Sequence, residues 1–227
     1  MPTVLISGAN RGIGLEFARQ YAGEGWQVYA TARNPADAAD LRALGGRVSI
    51  HQLDVANERS IAELVRALAG TAIDVLIANA GISGDLARSP EQIDQKEIID
   101  VMAVNAFGAL ALAAALHPNI RAGSRKIAIA ISSLMASLAM NDFGTQYVYR
   151  ASKTALNALW TTLALEWRSD AIACVLLRPG LVRTRMNNFD GDLEARESVA
   201  GMRRVIAGLS LADTGRFIGY DGKDVPW

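Results

Sequence analysis

Apolar positions in this chain fall into short runs separated by longer stretches with helical spacing. Thr3–Ser7, Gln27–Ala32, Arg47–Leu53, Ile73–Ala78, Lys126–Ile131 and Ala171–Leu177 read as strands. Several of them are nearly continuous apolar runs, the pattern of parallel strands covered on both faces. Helical segments lie between them at Gly14–Gly23, Ala36–Leu44, Glu58–Ala69, Pro90–Leu116 and Tyr149–Arg168. Two cap signals support the placement: Asn57 precedes Glu58, and Ser89 precedes a proline at the first helical position. The stretch Asn187–Trp227 is less regular and predicts one helix, Glu194–Ala207, and a short strand around Arg216–Tyr220. Repeated βα units of this kind predict an α/β protein built on a doubly wound parallel sheet with helices on both faces. No linker, repeat or low-complexity tract interrupts the pattern, so residues 1–227 read as a single domain.

Charge and composition narrow the choice of partner. Lys+Arg and Asp+Glu are equal at 23 each, so no global field favours nucleic acid or an anionic membrane. There is no basic stretch and no aromatic platform of the kind nucleic-acid binding uses. The one cysteine, Cys174, lies inside an apolar run and reads as a buried structural thiol. His51 and His117 form no cluster with metal-ligand spacing, so no metal is expected. Met1–Ser7 runs straight into a strand, without the basic and apolar regions of a signal segment. The longest apolar stretch, Val101–Leu116, is interrupted by Asn105 and Gly108 and reads as too short to span a membrane. The expectation is a soluble, cytoplasmic protein.

Ser7-Gly8-Ala9-Asn10-Arg11-Gly12-Ile13-Gly14 follows the first strand and opens the first helix. Glycines there let the backbone turn tightly and approach a pyrophosphate, and the helix N-terminus supplies free N–H groups. An ordinary βα turn needs one such glycine, not three in a strand–turn–helix context. The domain is therefore expected to be Rossmann-like and NAD(P)-binding. The spacing G-x-x-x-G-x-G resembles the short-chain dehydrogenase/reductase family, whose fingerprint is TGxxxGxG; Ser7 replaces its first residue and keeps the hydroxyl. The resemblance implies cofactor contacts from Gly8, Asn10, Arg11, Gly12, Ile13 and Gly14. After the second strand, Ala30-Thr31-Ala32-Arg33-Asn34 offers no carboxylate for a ribose 2′-hydroxyl until Asp37. Arg33, helped by Arg11, can instead pair with a 2′-phosphate. NADP(H) is thus preferred, with NAD(H) as the alternative. Asp54-Val55 stands where the family places an Asp against the adenine, and Asn79-Ala80-Gly81 matches its NAG motif.

Tyr149-Arg150-Ala151-Ser152-Lys153 is a YxxxK motif, which puts Tyr149 and Lys153 on one helical face. A free phenol titrates near pH ~10, and a nearby ammonium would lower that and make Tyr149 a usable proton donor or acceptor. Tyr147 has no Lys four residues later and reads as pocket wall or packing. Ser132 and Ser133 end the fifth strand, where ligands of such sheets sit. The family pattern selects Ser133 to hold the substrate oxygen, with Ser137 as the alternative. The Ser133–Tyr149 spacing resembles the sniffer-type carbonyl reductases and the C-factor-like proteins, as does the ending Gly222–Trp227. Asn105, costly in an apolar helix unless satisfied, matches the family Asn that links to the active-site lysine through water. Pro179, Gly180, Val182 and Thr184 follow the sixth strand, where the family contacts nicotinamide.

The resemblance implies hydride transfer between nicotinamide and a carbonyl or alcohol substrate, with Ser133, Tyr149, Lys153 and Asn105 as the catalytic set. The substrate pocket is expected from segments 134–148 and 185–210, where Met186 and Phe189 suit an apolar partner. Many relatives form homodimers or homotetramers through the faces that Pro90–Leu116 and Tyr149–Arg168 would provide, while some carbonyl reductases are monomers. The rival reading is a dinucleotide-binding sensor of the C-factor type with little or no turnover; fold alone does not decide.

Overall fold

In the computed structural model, which describes Met1–Trp227, the strands are β1 (Thr3–Ile6), β2 (Gln27–Ala32), β3 (Val48–Gln52), β4 (Val75–Ala78), β5 (Ile127–Ile131), β6 (Ala173–Arg178) and β7 (Phe217–Gly219). They form one sheet, parallel throughout, in the order β3-β2-β1-β4-β5-β6-β7. The order reverses between β1 and β4, which leaves a crevice outside their carboxyl ends. This is the doubly wound Rossmann-like fold that the alternating pattern predicts.

The sheet separates two cores, and the period of two along each strand assigns residues to them. Leu5 of β1 faces one core while Val4 and Ile6 face the other. In β5, Ala128 and Ala130 share a core with Leu156 and Trp160 of α7 (Tyr147–Glu166). Ile127, Ile129 and Ile131 share the opposite core with Phe17 of α1 (Gly12–Gly23) and with Val199 and Met202 of a late helix, Ala195–Gly208.

Several helices differ from the expected ranges for local reasons. The first starts at Gly12 instead of Gly14. Ala36–Leu44 divides into a tight turn, Pro35–Asp37, capped by the Asn34 side chain, and the short α2 (Ala39–Arg42). As expected, the Asn57 side chain caps α3 (Glu58–Ala67) by accepting from the Ser60 N–H. Pro90–Leu116 is not one helix. Ser89 and Gln92 close a single turn at Pro90–Gln92, Ile93 is extended, and Asp94 caps α4 (Gln95–Met102). A wide π turn, Ala103–Phe107, then joins α4 to α5 (Gly108–Ala115).

That continuous helix, Gln95–Ala115, has 21 residues, and its most apolar 18-residue window has a mean hydropathy of 1.9. It is long and apolar enough to cross a membrane, contrary to the expectation from Val101–Leu116. In this fold it lies among the other helices, with Val101, Asn105, Ala106, Ala109, Leu112 and Ala113 buried. A further short helix, α6 (His117–Ala122), was not predicted. Ala171 takes a left-handed conformation (φ 58°) and ends the turn after α7, so β6 begins at Ala173. The last helix, α8, is the Ala195–Gly208 segment named above.

Candidate active site

The glycine-rich turn is shaped by contacts that exclude a side chain. Gly8 has φ 66°, and a Cβ there would lie 2.9 Å from the Cα of Ala80. A Cβ on Gly14 would lie 2.3 Å from the Gly8 carbonyl oxygen and 2.6 Å from Asn79 Nδ2. The Ser7 hydroxyl accepts from the N–H groups of Asn79 (2.9 Å) and Ala80 (3.0 Å). Asn79 Nδ2 in turn donates to the carbonyls of Ser7 (2.9 Å) and Gly8 (3.0 Å). The Asn79-Ala80-Gly81 segment is thus a brace across the ends of β1 and β4. It holds a concave backbone cradle at the start of α1, which fits a pyrophosphate.

Around this cradle, Asn10, Gly12 and Ile13 are half-buried, and Arg11 and Arg33 are exposed. The turn also approaches the segment after β6: a Cβ on Gly12 would lie 3.5 Å from Thr184 Cγ2. Asp54 Oδ1 accepts from the Ala56 N–H (3.0 Å), and so shapes the turn before α3. Val55 is buried against Gly108, whose absent Cβ would lie 2.7 Å from the Val55 carbonyl oxygen. Pro179 accepts through its carbonyl from the Ser198 hydroxyl (2.6 Å), and Gly180 turns with φ 85°. Val182 pairs with Leu193, and the Thr184 N–H donates to Asn187 Oδ1 (3.1 Å).

The two serines at the end of β5 diverge. Ser132 is buried and donates to Asn157 Oδ1 at 2.6 Å. Ser133 is half-buried, accepts from the Met135 N–H (3.2 Å) and lies beside the Tyr149 phenol. Ser137 is buried and accepts from the Met140 N–H (3.2 Å). Of the three, Ser133 is the one beside Tyr149.

Lys153 is buried, its Nζ donates to the Ile131 carbonyl (2.9 Å), and it stands 5.9 Å from the Tyr149 ring centroid. Burial brings the Lys153 ammonium down to about 8. Burial also pushes the Tyr149 phenol up from its ordinary value, and Ser133 acts in the opposite direction. The expected lowering of the phenol by Lys153 is not seen: desolvation outweighs the Ser133 hydrogen bond, and the phenol stands above its ordinary value.

Asn105 occupies the π turn. Its Oδ1 accepts from the Ile82 N–H (2.8 Å), and its Nδ2 donates to the Ile82 carbonyl (2.8 Å) and to Ser152 Oγ (2.9 Å). Ser152 Oγ donates onward to the Tyr149 carbonyl (2.8 Å). Gly81 lets these groups converge: a Cβ there would lie 3.3 Å from Asn105 Oδ1 and 3.7 Å from Lys153 Nζ.

Ser152, Asn157 and Ser198 were not singled out from the sequence. Asn157 carried one readable signal, since it follows Lys153 by four residues on the Tyr149 face of α7. Exposed apolar side chains surround the carboxyl end of the sheet: Leu138, Phe143, Tyr147, Leu181, Met186 and Phe189. No group of three or more His, Cys, Asp or Glu side chains is arranged to hold a metal ion.

Comparison with known proteins agrees with this geometry. The profile of the short chain dehydrogenase family matches residues 2–194. The C-signal protein of Myxococcus xanthus is 41% identical over 155 residues, covering 68% of this chain and 93% of that protein. Among solved structures, the carbonyl reductase Sniffer of D. melanogaster superposes with a TM-score of 0.93 at 29% identity, covering 100% of both chains. The NADPH-bound carbonyl reductase from chicken fatty liver superposes with a TM-score of 0.91 at 31% identity, covering 100% of this chain and 99% of that one. With its glycine cradle, its YxxxK helix and these relatives, the chain belongs to the short-chain dehydrogenase/reductase family of oxidoreductases, in the branch of the sniffer-type carbonyl reductases and the C-factor-like proteins.

Proposed function

We propose that this protein interconverts a carbonyl and an alcohol with NADP(H), using Ser133, Tyr149 and Lys153. The observation that carries the reading is their convergence. Ser133 ends β5, Tyr149 and Lys153 share one face of α7, and Gly81 brings Lys153 beside Asn105. They gather at the carboxyl ends of β4 and β5, next to the glycine cradle, where ligands of open α/β sheets bind.

Gly8, Gly12, Ile13 and Gly14 would hold the pyrophosphate, with Asn10 and Asn79-Ala80-Gly81 beside the ribose. Asp54 and Val55 would flank the adenine. Pro179, Gly180, Val182 and Thr184 would line the nicotinamide. Arg33 is exposed at the end of β2, and Arg11 is exposed in the turn. Two guanidinium groups there suit a 2′-phosphate better than a hydroxyl. The NADPH-bound relative supports the same preference.

When bound, the nicotinamide supplies the hydride chemistry. The chain's own residues handle the oxygen and the proton. Ser133 Oγ donates to the substrate oxygen and orients it. Tyr149 Oη gives its proton to that oxygen on reduction and takes it back on oxidation. Lys153 would hold the ribose hydroxyls and offset the phenolate charge. Asn105 keeps the Ile82 backbone and Ser152 in place behind them. Segments 134–148 and 185–210 would form the pocket, and their exposed apolar side chains suit an apolar carbonyl compound.

Tyr149→Phe tests the reading. It keeps the ring and removes the transferable proton. Dinucleotide binding should stay within a few-fold of wild type, while turnover falls at least ~100-fold. Near-normal turnover would remove Tyr149 from the mechanism. The similarity to C-signal keeps a second reading in play, a dinucleotide-responsive signalling protein. NADPH oxidation that requires both a carbonyl compound and Ser133 would exclude it.

A further inference from the structure

Arg150 follows the candidate proton donor, yet its side chain is drawn into the protein and only 8% of the residue is exposed. Its Nε donates to the carbonyls of Gly144 (3.2 Å) and Thr145 (3.1 Å). Its guanidinium carbon lies 4.6 Å from the centroid of the Phe143 ring. Its backbone N–H donates to the Gln146 carbonyl (2.9 Å). One side chain therefore reaches three consecutive residues of the segment between Ser133 and Tyr149.

The backbone it holds is strained. Gly144, Thr145 and Gln146 all have left-handed φ values, 66°, 58° and 56°. Thr145 and Gln146 carry side chains that disfavour this conformation. A run of this kind persists only where its surroundings over-determine it. The rest of the segment offers little support. Ala139 donates to the Trp227 carbonyl at its start (2.9 Å). Beyond that, Met140 N–H donates to Ser137 Oγ, Asn141 N–H to the Leu138 carbonyl and Gly144 N–H to Asn141 Oδ1, all local bonds.

We propose that Arg150 is a positioning residue that holds Phe143–Gln146 as a fixed wall of the substrate pocket, and so sets which carbonyl compounds reach Tyr149. The part concerning substrates rests on the oxidoreductase reading above; the part concerning the wall does not. The guanidinium is suited to this task because it donates in a fixed plane and can lie over an aromatic ring, which the point charge of lysine does not reproduce.

Hydrogen exchange on the full-length protein tests the wall directly. In Arg150→Ala, amides of residues 141–148 should exchange at least about tenfold faster, the scale of one lost charged hydrogen bond. Amides of β5 and β6 should keep their wild-type rates. Arg150→Lys should behave like Arg150→Ala, and millimolar guanidinium should slow exchange in the alanine variant alone. Phe143→Ala, at an exposed position, should loosen the same segment to a smaller degree without risk to folding. Kinetically, KM for a bulky aromatic ketone should rise about tenfold in Arg150→Ala, with kcat and NADPH affinity little changed. Unaltered exchange at 141–148 in Arg150→Ala or Phe143→Ala overturns the proposal, as does full restoration by lysine. If wild type turns over no carbonyl compound, the oxidoreductase reading falls while the exchange result still decides the wall.

Discussion

The two sides of the cleft are built differently. On the dinucleotide side, backbone groups and small side chains hold one another: Ser7, Gly8, Asn79 and Ala80 form a closed set of hydrogen bonds, and Gly14 has no room for a methyl group. On the substrate side, long side chains hold irregular backbone. Four of the six non-glycine residues with positive φ are Thr145, Gln146, Asn188 and Phe189, so strain is concentrated in the two segments proposed for the pocket. Large apolar side chains stand exposed there, including Leu138, Phe143, Met186 and Phe189. One side thus presents a shape that a shared ligand dictates, and the other presents a surface that can change with little effect on the fold.

The strongest challenge to this contrast is Gly14→Ala. Its methyl group would meet the Gly8 carbonyl oxygen and the Asn79 side-chain amide at once. Overpacking of this kind costs about 1–3 kcal/mol, so NADPH affinity should fall on the order of 100-fold with a lower melting temperature. Calorimetric titration showing near wild-type affinity would mean the cradle is pliable.

Arg33→Ala should have a smaller and more selective effect. Loss of a charged hydrogen bond should weaken NADPH binding about tenfold or more and leave NADH binding nearly unchanged. The gap should narrow as salt rises. Equal losses for both cofactors would take Arg33 out of the recognition.

A pH titration of stability probes the junction between the two sides. Lys153 is lowered by burial from its ordinary 10.5 to about 8. Its folded value lies below its unfolded one, so between these values the unfolded chain binds more protons and stability rises with pH. The Cys174 thiol, raised by burial to about 12, and the raised Tyr149 phenol act in the opposite sense at higher pH. Comparing wild type with Lys153→Met by denaturant melts isolates the lysine contribution. The stability gap between the two proteins should move in favour of wild type from pH 8 upward; a gap independent of pH would contradict the buried ammonium.

The smallest effect is expected on the open rim. Phe189 is 62% exposed, and Phe189→Ala should shift stability by no more than about 0.5 kcal/mol while raising KM for an apolar ketone a few-fold. A large loss of stability would show that the rim is part of the core.

The legibility of the sequence follows the same divide. The cradle was readable because its constraint is local: glycines at 8, 12 and 14 between a strand and a helix specify a tight backbone turn open to an anion. The sheet was readable because its central strands β4 and β5 are buried on both faces and apolar throughout. The start of α4 was missed because Ser89-Pro90 is a cap signal as strong as Asp94, and only Ile93 in extended geometry separates them. The start of β6 was missed because alanine, not glycine, takes the left-handed turn at Ala171. In the site, Tyr149 and Lys153 could be found by their spacing. The partners of Lys153 and Asn157 could not, because Ile131 and Ser132 come from a different element more than twenty residues away. Arg150 carries no sequence signal of its own, because its partners are backbone carbonyls of a loop whose geometry the sequence does not specify.

The face of α7 has a consequence for how the chain can change length. Lys153 reaches the Ile131 carbonyl, Asn157 reaches Ser132, and Trp160 Nε1 lies 3.4 Å from the Ala128 carbonyl. These positions, with Tyr149, repeat at the interval of helical turns and clamp the helix to β5 in one register. Inserting or deleting a residue between Tyr149 and Trp160 rotates everything beyond it by about 100° and breaks the chain of contacts. Between Met140 and Asp142, ahead of the residues that Arg150 holds, the backbone bonds are only local and keep no such register. Descendants of this sequence can therefore lengthen or shorten the loop at that point, while the helix that carries Tyr149 and Lys153 admits substitution but not insertion.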